Sequence, residues 1–237
     1  TGTGKLEGRR NNSSYLLSAT SGNPTIRTNG SEIDCDVVID APGSIYGLQD
    51  PLTLLEDFTL TAGTRLDAQG NTINLGDNPD NVQIFGDLRV STTANPGGML
   101  KLGNGTRFTV GEGGTLYLVG TSNNVAVVGN RTTNRRYSFT VNGTASNPAT
   151  IHARFYRFEF MDADGIFIGE NAVIDATDNF SNGTFDNGRN DGTFLRIEND
   201  QDLSNTGDGP LNNVNFPSNP GGSASNVTKQ NTASGTI

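Results

Sequence analysis

Phe58-Thr59-Leu60-Thr61-Ala62-Gly63-Thr64-Arg65-Leu66-Asp67-Ala68 places two apolar-x-apolar segments on either side of a Gly-containing turn. The shape returns at Val82-Gln83-Ile84-Phe85, Gly86-Asp87, Leu88-Arg89-Val90. It returns again at Phe108-Thr109-Val110 with Leu116-Tyr117-Leu118, at Phe139-Thr140-Val141, and at Ile166-Phe167-Ile168 with Val173-Ile174-Asp175. Strict alternation over three or four residues marks a short half-buried strand. The starts Phe58, Val82, Phe108, Phe139 and Ile166 lie 24 to 31 positions apart. Short strands nested inside a period of that length imply a solenoid, because a hairpin sandwich repeats its strands evenly with no longer period. One coil cannot bury its own inward side chains, whereas stacked coils bury them against each other.

The expected fold is therefore all-β, a parallel β-helix of about seven to nine coils, on the order of 40 Å long at about 4.8 Å per coil. Composition agrees. Only 32% of the 237 residues are hydrophobic, with no Trp, which suits a thin core fed by two or three side chains per strand. The 31 glycines, with abundant Asn, supply corners that need positive φ. Inward positions expected from alternation include Phe58, Leu60, Leu88, Leu116, Val125, Val127, Phe139, Phe158, Phe160, Ile166, Val173, Leu195, Leu211, Val214 and Phe216. Cys35, the single cysteine, excludes an intrachain disulfide and reads as a core residue beside Ile33, Val37 and Ile39.

Three regions are expected. Residues 1–32 form a polar cap or docking strand, 33–216 the β-helix, and 217–237 a loop and an incomplete further coil beginning near Asn226-Val227-Thr228. The opening Thr1-Gly2-Thr3-Gly4 carries no initiator Met or signal peptide and suits a processed product. No apolar run approaches the length of a membrane span.

Asn182-Gly183-Thr184-Phe185-Asp186-Asn187-Gly188, Thr193-Phe194-Leu195-Arg196-Ile197-Glu198-Asn199 and Leu211-Asn212-Asn213-Val214-Asn215-Phe216 resemble successive strand-and-turn units of right-handed parallel β-helix proteins. The resemblance is to secreted bacterial surface proteins with pectin-lyase-like β-helices, in which Asn sits at corners and the apolar residue points inward. It implies a right-handed coil and an extracellular or cell-surface location. The phrases carry fold and no activity, and no sorting domain accompanies them.

The net charge of −9 and the sequence pI near 4.5 exclude a basic phosphate-binding stripe, so nucleic acid is not an expected partner. His152 is the only histidine, which excludes a multi-histidine metal site. On the segment Ile151–Met161, His152, Arg154 and Tyr156 share one parity and form a solvated face. Asp162 and Asp164 flank Ala163 ahead of Gly165, a pair of carboxylates of the kind hydrolases use, or a polar corner. The richest oxygen cluster is Asp186, Asn187, Asn190 and Asp191, a possible calcium loop.

The expected function is an extracellular structural rod, adhesive or polymerising end to end with copies of itself, since an open solenoid end is a template for pairing. The alternatives are a polysaccharide lyase or glycoside hydrolase using Asp162, Asp164, Arg154 and His152, and a passive glycan-binding module. The module ranks last, because Trp is absent and only Tyr117, Tyr137 and Tyr156 are central tyrosines.

Overall fold

A computed structural model describes residues 14–18, 22–201, 203, 211–217 and 225–229. Thr1–Gly4, Ser218–Ser223 and Gly235–Ile237 lie outside the described residues. The chain is an all-β right-handed parallel β-helix with three sheets. From Ser14–Leu17 to Leu195–Ile197 it visits them in strict rotation, and each visit lays a strand parallel to the one deposited a coil earlier. We call the nine-stranded sheet A; it runs from Ser14–Leu17 to Val227–Lys229. The seven strands from Thr25–Ile26 to Ala172–Asn179 form sheet B. Those from Glu32–Ile33 to Thr184–Asp186 form sheet C.

The register follows the apolar period. On sheet A, Val37 pairs with Phe58, Phe58 with Val82, Val82 with Phe108 and Phe108 with Phe139. The stack extends beyond 33 at one side, where Tyr15 of Ser14–Leu17 pairs with Val37. At the other side Val227 pairs with Leu195. Coil length varies: on sheet A it runs from 21 residues between Val37 and Phe58 to 32 between Leu195 and Val227.

The filling changes with coil size. Early coils are packed mainly with Leu, Ile and Val, with Tyr46 and Phe58 among them, and Cys35 is buried there too. Later coils take aromatic side chains. Phe108 stacks on Phe139 with centroids 4.7 Å apart, Phe158 on Phe185 at 5.5 Å, and Phe185 on Phe216 at 5.5 Å. These steps match the coil-to-coil spacing, so like rings meet face to face along the axis. Each such ring contributes about 1.5–3 kcal/mol by leaving water.

Corners follow the expectation for Asn. Asn182 (φ 58°) and Asn213 (φ 54°) adopt the left-handed conformation in successive coils, and Asn213 Nδ2 donates to Asn182 Oδ1 at 3.0 Å.

Four inward assignments need correction. Val125 and Val173 are 38% and 37% exposed, and Val127 is half-buried; Ala126, Val128, Ala172 and Ile174 point inward instead. In Val125-Ala126-Val127-Val128 every residue is apolar, so alternation cannot choose the parity. Pairing chooses it: Ala126 meets Tyr156, and Val128 meets Leu100 and Phe158. Phe160 is a half-buried corner residue at φ 63°.

The segment Ile151–Met161 is not one strand. Phe155 (φ 50°) breaks it into Ala149–Arg154 on sheet B and Tyr156–Glu159 on sheet C. The break inverts the parity. His152 and Arg154 stay outside, while Tyr156 is 1% exposed and donates its hydroxyl to the Phe180 carbonyl at 2.8 Å.

Candidate functional site

Inward Leu88, Leu116 and Ile151 fix the orientation of three neighbouring strands of sheet B. The following residue of each strand must therefore face outward. Arg89 pairs with Tyr117, and Tyr117 with His152, in one column along the helix axis. The column is a stack. The Arg89 guanidinium carbon lies 4.4 Å from the Tyr117 ring centre, and the Tyr117 and His152 rings lie 4.0 Å apart and 9° from parallel. Arg89 is held in place by Asp87, which also accepts from Arg65 Nε at 2.8 Å.

The next rung of the column is irregular. Ile151 pairs with Ile174, but Ala153 pairs with Asn179, so the outer strand carries three more residues than its partner. The excess bulges out opposite His152 and brings Asp175 and Asp178 to its edge. Asp175 Oδ1 accepts the backbone N–H groups of Thr177 and Asp178 at 2.9 and 2.8 Å. Its Oδ2 is turned to His152 Nδ1 at 3.6 Å, and Asp178 Oδ2 lies at the same 3.6 Å. All three side chains are partly shielded, with exposures of 15%, 31% and 21%.

The two carboxylates differ. Burial tends to raise Asp175, but the N–H groups of Asp178 and Thr177 and the nearby imidazole hold it below the usual carboxylate range. Burial and the charge of Asp175 push Asp178 up. Among the described residues, His152, Asp175 and Asp178 are the one His/Cys/Asp/Glu set whose ligand atoms all lie within 4.8 Å of one another.

A second bulge sits on sheet A. Tyr137 pairs with Met161, and Phe139 with Ile166, so three extra residues again protrude and carry Asp162 and Asp164. Gly165 closes this bulge at φ 66°, where a Cβ would meet the Thr193 carbonyl oxygen at 2.3 Å. Asp162 Oδ1 accepts the Asp164 N–H at 3.2 Å, and Asp164 Oδ1 is 3.8 Å from Arg196 Nη1. A hollow lies between Asp162, Asp164, Ser138, Thr140, Phe167 and Arg196. Burial pushes Asp162 up to about 6, against the charges of Arg189 and Arg136.

The residues singled out from sequence thus divide. His152 and Arg154 lie on the outer face of sheet B, and Asp162 and Asp164 on the outer face of sheet A. Asp186 ends a strand of sheet C, and Asn187, Asn190 and Asp191 follow in an exposed turn. Asp186 Oδ1 accepts the Asn187 N–H at 2.8 Å. The Asn187 and Gly188 carbonyls accept from Arg136 at 2.9 and 3.2 Å, so these oxygens already face a guanidinium.

Sequence reading passes over Asp175, Asp178 and the pairing of Tyr117 with His152. The signal present was Asp175-Ala176-Thr177-Asp178, two carboxylates three positions apart after an alternating strand. Only the register places them opposite the single histidine. No family model, curated protein or solved structure matches the chain.

Proposed function

We propose that the chain is an extracellular structural β-solenoid, a stiff scaffold able to assemble with copies of itself along the helix axis. The observation that carries this reading is the rotation through three sheets, kept up to Leu195–Ile197, around a single apolar core. A rod of this kind resists bending because every coil is hydrogen-bonded to its neighbours. Parallel ladder pairing is indifferent to whether the next strand comes from the same chain or another, which makes axial assembly natural. The acidic balance and the scarcity of Lys and Arg suit an exposed surface outside the cell.

Negative-stain microscopy at rising protein concentration tests the assembly. Short rods that join end to end are expected; dispersed single copies at the highest concentration would overturn axial assembly.

A second reading, a polysaccharide lyase or hydrolase, is favoured by one observation. Asp162 is raised to about 6 beside Asp164 and Arg196, a carboxyl held near neutrality as a general acid for glycan cleavage is. Turnover of an acidic glycan, abolished by Asp164→Ala, would move the assignment to that reading. A glycan-binding role has less support. Tyr137 and Tyr156 are buried, and both faces of Tyr117 are covered by Arg89 and His152.

A further inference from the structure

We infer that His152, Asp175 and Asp178 form a binding site for a divalent transition cation of the zinc type. The argument begins with the donor set. One imidazole nitrogen with two carboxylate oxygens is a zinc-like combination, whereas calcium takes six to eight oxygens and no nitrogen. The distances come next. Ligands bound at 2.0–2.1 Å around a tetrahedral ion stand about 3.4 Å apart. His152 Nδ1 already lies 3.6 Å from each Asp oxygen, and all three ligand atoms lie within 4.8 Å of one another, so no pair has to close by more than about 1.4 Å.

The three ligands are also aimed. Asp175 spends Oδ1 on two N–H groups of its own bulge, which leaves Oδ2 directed at the site. Tyr117 covers one face of the imidazole and fixes its plane, the part a supporting residue plays around a metal-bound histidine. The Arg89 guanidinium lies on the far side of Tyr117 and is paired with Asp87, so its charge is partly neutralised before it reaches the site. Arg154 is the cation on the same strand, and its guanidinium carbon lies 5.2 Å from the Phe155 ring centre.

Three protein ligands leave a fourth position for water. The ligands come from two successive coils, His152 from one strand and the bulge from the next, so a bound ion ties the coils together. The site is independent of the scaffold reading, and neither outcome in microscopy alters it.

Isothermal titration of the full chain with zinc chloride, after treatment with a chelator, tests the site. One equivalent is expected to bind, and excess calcium is not expected to displace it. Binding is expected to weaken at least tenfold in His152→Gln and in Asp178→Asn, and to stay unchanged in Asp164→Asn, whose carboxylate belongs to the other bulge. Cobalt in place of zinc is expected to give tetrahedral absorption that His152→Gln removes. Far-ultraviolet circular dichroism of each variant establishes that it is folded. Absence of a stoichiometric site, or equal zinc affinity in folded His152→Gln, would overturn the inference.

Discussion

Asp162 shows how one carboxylate reports its surroundings. Its folded value, about 6, stands above the ordinary 3.8, so the folded state holds the proton more tightly than the unfolded chain. Stability from this group is therefore fully present below the unfolded value and is lost as pH rises through about 6. Asp162→Asn keeps an oxygen to accept the Asp164 N–H and removes the buried charge. The variant is expected to melt at a higher temperature than the parent chain at pH 7.5, with the difference vanishing at pH 3.5. Thermal unfolding at the two pH values reads this directly, and an equal or lower melting point at pH 7.5 would contradict the assignment. Sequence alone shows the pair Asp162 and Asp164 but not the burial that raises Asp162, which outweighs the opposing charges of Arg136 and Arg189 arriving from other segments.

At the scale of the element, alternation fixes most strands and fails where it carries no information. Phe58-Thr59-Leu60 has one possible inward set, and both its apolar residues are fully buried. Val125-Ala126-Val127-Val128 has two, and the choice rests on which residue meets Leu100 in the coil before. The consequence is measurable. Val127→Ser is expected to change stability by less than about 0.5 kcal/mol. Val128→Ser, in contrast, buries a hydroxyl and leaves a void, at a cost of about 2 kcal/mol or more. Denaturant unfolding of the two variants separates them; equal effects would mean that the register is wrong. The bulges are the other element that sequence hides. Each adds three residues to one strand, and each projects a pair of aspartates. A bulge is a relation between two strands, so it has no signature in either one. Tyr156 illustrates the same limit: a left-handed Phe155 turns it from the expected surface into the core.

At the scale of the whole molecule, the solenoid was legible because its evidence is spread over five recurrences of one phrase. No single strand had to be read correctly. The candidate zinc site was illegible for the opposite reason, since it needs one residue of one coil and two of the next placed in register. The central claim is that residues 20 to 35 positions apart in sequence sit one coil apart in space, whatever the loop between them. Val38, Thr59, Gln83, Thr109, Thr140 and Phe167 form one outer column of sheet A. Spin labels can be placed on Val38 and, in turn, on Thr109, Thr140 and Phe167 in a Cys35→Ala background, and the separations read by pulsed electron resonance. The expected backbone separations are about 14, 19 and 24 Å, equal steps of about 4.8 Å. Uneven steps, or separations that do not grow along the series, would contradict the β-helix.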